Sequence, residues 1–277
     1  MAEARPVGLV LPSNEPGGAA VLDELPARAE QLGYDSLWFT DHVVGVRAMA
    51  GVYGTYWLDP LVAMTWVAAR TSTIRLGTGV LVLPYRDPVL TAKMLATIDV
   101  FSAGRVDLGV GVGWSRSEFR AVGVGDRFDA RGRVTDESIE VLRRCWAGGE
   151  VEHEGEFFSF RHIAFEPVPV QPRLPIWVGG DSGPALRRAA RYADVWHPHD
   201  LDPAQLQSKG ERIDELAGRP VPRSVRIAIA PEDLAGLPDV VDAYLAVGCT
   251  RVVLDFRSLS SDTVAVLADK AATLLFG

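Results

Sequence analysis

Asp41 and His42 form the pair of neighbouring side chains whose chemistry is most direct. They follow Ser36–Thr40, a short apolar and aromatic run that predicts a strand. A histidine changes charge near neutral pH, and an adjacent carboxylate can orient its ring or tune its proton affinity. His197 also follows an apolar run and is a second candidate for proton transfer. Because single histidines are at least as often structural, both interpretations of His42 stay open at this point.

Two glycine-rich segments could bind an anion, because each follows an apolar run and leads toward a helical pattern. They are Gly111-Val112-Gly113-Trp114 and Gly179-Gly180-Asp181-Ser182. Free N–H groups at the start of a helix favour phosphate, and glycine lets the backbone approach it closely. Tight turning is the alternative explanation for the glycines. Asp181 would repel a phosphate unless its side chain faces away and caps the helix.

Three motif matches fail or stay weak. The Gly111-Val112-Gly113 start of a dinucleotide fingerprint lacks its third glycine, because position 116 is Arg. The string from Gly180 to Gly183 matches a serine-protease motif, but it follows a parallel strand in a cysteine-poor α/β chain. A metal-dependent barrel hydrolase remains an alternative of another class, with candidate ligands His42, His197 and His199.

The elements that must position these residues alternate between short apolar runs and stretches of helical period, the pattern of repeated βα units. Eight strands are predicted: Val7–Leu11, Ser36–Thr40, Ile74–Val82, Arg105–Gly111, Ile176–Gly179, Asp194–His197, Val225–Ile229 and Arg251–Asp255. This count favours an α/β fold of the (β/α)₈ TIM barrel type. Active sites of such barrels gather at the carboxyl ends of the strands, where the residues above lie.

The rhythm of strands and helices is interrupted after the fourth strand. Only one clear helix, about Val134 to Trp146, lies between Gly111 and Pro175. We therefore expect inserted segments at about 112–133 and 148–174, with a β-hairpin at Val151–Phe160. A length of 277 residues suits one barrel domain over 1–277.

Composition excludes several classes of partner. The formal charge of −8 and the pI near 5.2 argue against nucleic acid and against anionic membrane surfaces. Cys145 and Cys249 are too few for a disulfide framework, which favours a reduced, cytoplasmic setting. No apolar run approaches the roughly 20 residues of a membrane span.

Several strings together resemble a known family. They are Leu37-Trp38-Phe39-Thr40-Asp41-His42, Leu76-Gly77-Thr78-Gly79-Val80-Leu81, Gly111-Val112-Gly113-Trp114 with Glu118-Phe119, and Pro175-Ile176-Trp177-Val178-Gly179-Gly180. In this order, over roughly residues 7 to 200, they are similar to the luciferase-like monooxygenase superfamily. The resemblance is greatest to its oxidoreductases that depend on the deazaflavin coenzyme F420.

The resemblance implies an enzyme, commonly a homodimer, that transfers a hydride between F420 and a small organic substrate. It implies that Asp41 lies against the cofactor ring and that His42 handles a proton or stabilises charge there. It also implies a non-prolyl cis peptide between Gly79 and Val80, which forms a bulge behind the ring. The loops from Gly111 to Trp114 and from Gly179 to Ser182 correspond to those that hold the cofactor tail and its phosphate.

One departure from the family pattern concerns substrate. In sugar-phosphate dehydrogenases of the family a catalytic glutamate follows the Gly-x-Gly turn closely, whereas here the first acid is Glu118, which we interpret as helix-forming. That substrate assignment is therefore in doubt. The aromatic residues Tyr53, Tyr56 and Trp57 of the loop Val43–Leu58 indicate a planar or hydrophobic substrate, or simple loop packing. An FMN-dependent monooxygenase and a non-catalytic flavin- or deazaflavin-binding protein remain alternatives.

Overall fold

Eight parallel strand positions, one of them divided into two short strands, close into a barrel in the computed structural model, which describes residues 5–14, 16–45, 55–256 and 260–277. The main sheet contains β1 (Val7–Val10), β2 (Ser36–Phe39), β3 (Arg75–Thr78), β4 (Leu81–Val82), β5 (Val106–Gly111), β8 (Ile176–Gly179), β9 (Val195–His197), β10 (Arg223–Ala228) and β11 (Cys249–Asp255). β1 pairs with both β2 and β11, and β3 pairs with β5, so the ring has no open edge. The predicted (β/α)₈ barrel is confirmed.

The predicted strand Ile74–Val82 is in fact two strands, β3 and β4, with a bulge between them. Gly77 pairs with Asp107 and Leu81 pairs with Val110, so four steps along one strand oppose three along the other. The extra residue lies at the peptide bond between Gly79 and Val80, which is cis, as predicted. β4 therefore resumes the barrel strand after a displaced segment.

Nine α-helices accompany the strands in the described part of the chain. They are α1 (Gly18–Leu32), α2 (Pro60–Ala68), α3 (Pro88–Phe101), α4 (Arg116–Ala121), α5 (Arg131–Trp146), α6 (Gly183–Tyr192), α7 (Pro203–Ala217), α8 (Leu237–Ala246) and α9 (Ser261–Phe276). Several begin with a polar cap followed by proline. Asp59 accepts hydrogen bonds from the amides of Leu61 and Val62 at the start of α2, and Ser182 caps α6. No helix within these ranges is both long and apolar enough to cross a membrane.

The two segments predicted as insertions after the fourth strand contain α4 and an antiparallel hairpin, and most of α5 lies between them. The hairpin strands are β6 (Gly149–Glu154) and β7 (Ser159–Phe165), so the hairpin is longer than the predicted Val151–Phe160. Glu137 of α5 fixes its turn by accepting hydrogen bonds from the amides of Phe157 and Phe158, at 3.0 and 2.8 Å. The assignment of the whole chain to one domain stays a prediction.

The amino end of the barrel contains a closed network of ion pairs. Asp107 is 1% exposed and contacts two guanidinium groups, Arg75 at 2.5 Å and Arg251 at 3.0 Å. Arg251 also pairs with Asp35 at 2.6 Å, and it lies over the ring of Trp177. Hydrogen bonding to Asp107 raises the pKa of Arg75. Each charge in this layer is thus offset by a neighbour of opposite sign.

Candidate active site

A cavity of about 570 Å³ opens at the carboxyl ends of the strands. This volume falls within the range of small-molecule sites in proteins. Most of the residues predicted from sequence line it: Asp41, His42, Gly79, Val80, Gly111, Val112, Gly113, Trp114, Gly179, Gly180 and Ser182. Two predicted residues, Asp181 and His197, are not among those that line it. The topology therefore brings together segments that are far apart in sequence.

Val80 explains why glycine occurs in both flanking strands. A Cβ added to Gly111 would lie 2.4 Å from one methyl of Val80, and a Cβ added to Gly179 would lie 2.8 Å from the other. The bulge thus presses Val80 between β5 and β8, where only glycine leaves room. By contrast, Gly113 and Gly180 have φ of +73° and +86°, so those positions require glycine for turning. Close packing and turning, rather than anion binding alone, account for the glycines.

His42 is held on the cavity wall by Glu118 of α4. His42 Nδ1 lies 3.0 Å from Glu118 Oε2, and the amide of Val43 donates to Glu118 Oε1 at 3.0 Å. The Tyr85 hydroxyl donates to Oε2 at 3.3 Å. Glu118 is fully buried. It lies in a helix, as interpreted from sequence, but its side chain also belongs to the site, which the sequence interpretation missed.

The protonation state of Glu118 fixes the tautomer of His42. Burial acts to raise the pKa of Glu118, but the His42 ring and the amides of Val43 and Val44 together lower it below its ordinary value. An ionised carboxylate can only accept, so His42 Nδ1 carries the hydrogen of this contact. In this tautomer Nε2 is the ring nitrogen with the lone pair. This arrangement suits a general acid or base.

Asp41 anchors the strand segment that follows the bulge. Its carboxylate accepts hydrogen bonds from the Val82 amide at 2.7 Å and from both terminal nitrogens of Arg86, at 2.6 and 2.8 Å. Burial raises the pKa of Asp41, while Arg86 and the Val82 amide oppose the shift. Bidentate pairing is typical of an ionised carboxylate with arginine. Asp41 thus positions β4, and its contact with a cofactor ring stays a prediction.

His197 lies inside the barrel, beneath the cavity. Its ring stacks on Trp38 with centroids 4.6 Å apart, and Nδ1 lies 2.7 Å from the hydroxyl of Ser224. Burial, followed by the nearby charges of Arg226 and Arg251, lowers the pKa of His197 to about 3. At neutral pH the ring is uncharged and has no proton to release as an imidazolium. The geometry therefore gives no support to the predicted role of His197 as a proton donor.

Asp181 faces away from the cavity, the arrangement that the sequence required if the neighbouring loop holds an anion. It is exposed and forms an ion pair with Lys209 of α7. The hydroxyl of Ser182, next in sequence, accepts from the amide of Ala185 at 3.4 Å and lines the cavity. Ser182 therefore lines the cavity while the carboxylate of Asp181 points outward.

Two arginines that sequence reasoning missed lie at the same end of the cavity, where α5 and α6 begin. Arg188 of α6 pairs with Asp136 at 2.5 Å and donates to the carbonyl of Gly132 at 3.0 Å, which joins the two helices. Arg131 lies in the first turn of α5. Its Nε is buried, and none of the described residues accepts from it. A buried donor of this kind is costly unless a ligand supplies an acceptor.

These features fit a cofactor with a phosphate. Arg131 Nε and the starts of α5 and α6 offer donors to an anion. Trp57 of the predicted aromatic loop lines the cavity, whereas Tyr56 does not and Tyr53 lies outside the described residues. The residues considered as metal ligands do not form a cluster: within the described ranges, no three His, Cys, Asp or Glu side chains are placed to hold a metal ion.

Comparison with known proteins agrees with this arrangement. The family model described as luciferase-like monooxygenase matches residues 9–232. An uncharacterized protein of Mycobacterium tuberculosis is 33% identical over 222 residues, which cover 79% of this chain and 76% of the relative. An F420-dependent glucose-6-phosphate dehydrogenase of Kineococcus radiotolerans is 34% identical over 179 residues, 62% of this chain and 50% of that protein.

A solved structure shares the fold at low sequence identity. It is the oxygenating constituent of 3,6-diketocamphane monooxygenase from Pseudomonas putida, in complex with FMN. The TM-score is 0.76 at 16% identity, and the match covers 98% of this chain and 97% of that one. The extent of the family match shows the family, and the cavity and the bulge agree with it. The chain therefore belongs to the luciferase-like monooxygenase family of oxidoreductases.

Proposed function

We propose that the protein is an F420-dependent oxidoreductase that transfers a hydride between F420 and a small organic substrate. The observation that carries this proposal is the His42–Glu118 pair on the wall of a cavity large enough for a ligand. Deazaflavin transfers hydride only, so the protein has to hold the ring against the substrate and manage one proton. Among the residues that line the cavity, His42 has the side chain and the partner that suit the transfer of that proton.

The cofactor would extend from the bulge to the starts of α5 and α6. Val80 and Gly113 would support the ring system, with Asp41 keeping β4 in place behind it. Arg131 and Ser182 would bind the phosphate, because they offer a charged donor and a hydroxyl at the end where two helices begin. This assignment gives Arg131 Nε the acceptor that the described residues do not supply.

When bound, the cofactor takes a hydride from the substrate or returns one to it. In the oxidative direction His42 Nε2 accepts the hydroxyl proton of the substrate, and in the reductive direction it donates a proton to the carbonyl oxygen. Glu118 holds Nδ1–H and stabilises the positive charge that the ring acquires. Trp57, whose ring centroid lies 4.5 Å from that of His42, limits the access of water to the ring.

FMN is the second candidate cofactor, since the structural relative from Pseudomonas putida binds it. That relative is 16% identical, which is evidence for the fold alone, whereas the relative named for F420 is 34% identical over its matched region. The difference favours F420. A protein that binds either cofactor without turnover would need no proton-handling group, and the buried carboxylate behind His42 argues against it.

Calorimetric titration with F420 and with FMN tests the proposal. We expect F420 to bind at least about tenfold more tightly, equivalent to about 1.4 kcal/mol. Tighter binding of FMN by that factor would overturn the cofactor assignment. Loss of F420 absorbance on adding alcohols distinguishes an enzyme from a binding protein, and metal analysis of the same sample tests the hydrolase alternative.

The predicted homodimer and cytoplasmic setting stay proposals. α2 has no charged residue, yet Val62 and Trp66 on its outer side are 70% and 47% exposed. Leu90 and Phe101 of the neighbouring helix α3 are 58% and 66% exposed. Apolar surface of this extent favours contact with a second copy. Sedimentation should give twice the chain mass of 30.0 kDa, and a monomer at micromolar concentration would contradict pairing.

A further inference from the structure

The cavity has two unlike ends. The end at α5 and α6 contains Arg131, Ser182 and Arg188. The opposite wall contains four apolar residues, Leu11, Pro12, Phe256 and Val264, which we call the apolar wall and which lie beside the polar residues Asn14 and Asp255. This wall follows β1 and β11, which are neighbours in the barrel. On the opposite side of the barrel lies β8, the strand that precedes α6. One end therefore suits an anion and the other suits an uncharged body.

Among the described residues beside the apolar wall, the charged side chains of Arg226 and Asp255 contact each other or the backbone. Arg226 Nε lies 3.1 Å from Asp255 Oδ2, and Arg226 Nη1 donates to the carbonyl of Gly79. Both side chains line the cavity. A phosphate placed beside Arg226 would have to compete with Asp255 for its guanidinium group, and breaking such a pair in a buried setting is unfavourable. The described part of this wall therefore disfavours a phosphorylated substrate.

Two tryptophans lie near His42. The ring centroids of Trp57 and Trp114 are 4.5 and 6.1 Å from that of His42. Trp114 is 56% exposed although it lines the cavity, and Gly113, with its positive φ, sets its position. A large aromatic side chain that is exposed and lines the cavity offers its ring face to a ligand. Its flat face suits a planar apolar molecule.

We propose that the substrate is an uncharged alcohol or ketone with a planar, largely apolar body, held beside His42 by Trp57 and Trp114. Trp114, which the sequence placed with the cofactor loop, is then a specificity-determining residue. In the oxidative direction the carbon–hydrogen bond breaks with its electron pair passing to F420, and the hydroxyl proton passes to His42. The alcohol becomes a ketone as F420 is reduced. This inference rests on the proposed function for its redox step.

The proposed substrate of this chain differs from the substrate in the name of its relative from Kineococcus radiotolerans, glucose-6-phosphate. That relative shares 34% identity over 62% of the chain, which would by itself suggest a sugar phosphate as substrate. The apolar wall and the engaged Arg226 favour the opposite choice. Specificity within a family is set by the residues of the pocket rather than by the fold.

The experiment measures both turnover and binding with defined probes. With F420 present, we expect kcat/KM for 1-phenylethanol to exceed that for glucose-6-phosphate by at least about tenfold, equivalent to about 1.4 kcal/mol. Trp114→Ala should raise KM for 1-phenylethanol by about tenfold, while Trp114→Phe restores it to within about threefold. Val170→Ala, which alters an equally exposed residue outside the cavity lining, should leave KM unchanged.

Two further measurements keep the substrate inference apart from the cofactor assignment. Calorimetry should show that the protein binds the ketone acetophenone more tightly than glucose-6-phosphate, whether F420 or FMN fills the cofactor site. If F420 fails to bind while acetophenone binds and Trp114→Ala weakens it, the proposed function fails and the apolar substrate stands. A preference for glucose-6-phosphate would overturn the inference. So would a Trp114→Ala variant whose affinity for F420 changes while its affinity for acetophenone does not.

Discussion

The charged residues at the two ends of the barrel differ in how completely they are paired. At the amino end Asp107, Arg75 and Arg251 pair with one another in a closed network. At the carboxyl end Arg131 Nε is buried, and no described residue accepts its hydrogen. Charged residues therefore occur at both ends, but among the described residues the guanidinium groups of the amino-end network are paired with carboxylates, whereas Arg131 Nε at the carboxyl end has no described acceptor. Barrels of this type separate stability from function in the same way.

The difference teaches that an arginine donor without a described acceptor on the cavity, rather than the presence of polar residues alone, marks the site. The amino-end network would be costly to break and offers nothing to a ligand. His42 and Glu118 form a third kind of arrangement, because His42 Nδ1 contacts the buried carboxylate of Glu118 while the other ring nitrogen has the lone pair. Substitutions at the two ends should accordingly affect different measurable quantities.

The largest expected effect is on the rate of hydride transfer. His42→Ala should lower it by about 10²–10⁴-fold, because the variant lacks the group that accepts or donates the proton. The affinity for F420 should change little. Stopped-flow absorbance of the cofactor gives the rate, and thermal unfolding of the same preparation shows whether the variant is folded.

Glu118→Gln sharpens this test, since it keeps the size of the side chain but removes the charge that faces His42 Nδ1. Its rate should fall by a smaller factor than that of His42→Ala. If His42→Ala instead lowers thermal stability while turnover per folded molecule stays within about threefold of wild type, His42 packs the loop and has no catalytic role.

The next effect concerns the amino end and should be seen in stability. Asp107→Asn removes the buried carboxylate that pairs with the guanidinium groups of Arg75 and Arg251. Removing one partner from a buried ion pair typically costs about 3–5 kcal/mol of unfolding free energy. Urea unfolding measures this loss. The affinity of the folded variant for F420 should equal that of wild type, and a large loss of affinity would contradict the separation of the two ends.

The pH dependence of stability tests the placement of His197. Its pKa is about 3 in the folded protein and about 6.5 when unfolded, so the unfolded chain binds the proton more readily between these values. Stability should therefore fall as the pH drops below about 6.5, by up to about 1.4 kcal/mol per pH unit from this group. His197→Gln should show a shallower decline between pH 6.5 and 5. Equal slopes would show that His197 is not buried as described.

The smallest expected effect is on cofactor affinity. Arg131→Gln should weaken F420 binding by about tenfold, because a hydrogen bond to a charged group contributes about 1.5 kcal/mol or more. Arg133→Gln is the matched control, since Arg133 lies two residues along α5 with its side chain 66% exposed and paired with Glu156. Calorimetric titration compares the two. Equal losses in both variants would indicate a general charge effect rather than a binding site.

Sequence reasoning located the strands because their residues are apolar on both faces, and this pattern survives in a single chain. Residues such as Leu37, Leu76 and Val178 are fully buried, as a strand between barrel and helices requires. The bulge between β3 and β4 could not be located from this apolar pattern. Local apolar character continues through Gly79 and Val80, so only the family resemblance indicated the break.

The site was predicted in part, because position after a strand identifies loops but not the direction of side chains. His197 meets the same positional test as His42, yet its ring points into the barrel and stacks on Trp38. Glu118 fits a helix pattern, and nothing local shows that it reaches His42 across the cavity mouth. Arg131 and Arg188 were missed because they lie on helices, where arginine is usually solvent-exposed.

A crystal structure with F420 tests the central claim most directly, namely that the carboxyl-end cavity is a cofactor site completed by Arg131. The account predicts the deazaflavin ring against Val80, with the phosphate within hydrogen-bond distance of Arg131 Nε and Ser182. His42 Nε2 should face the open side of the ring. F420 bound elsewhere, or in the cavity with its phosphate away from Arg131 and Ser182, would contradict the account.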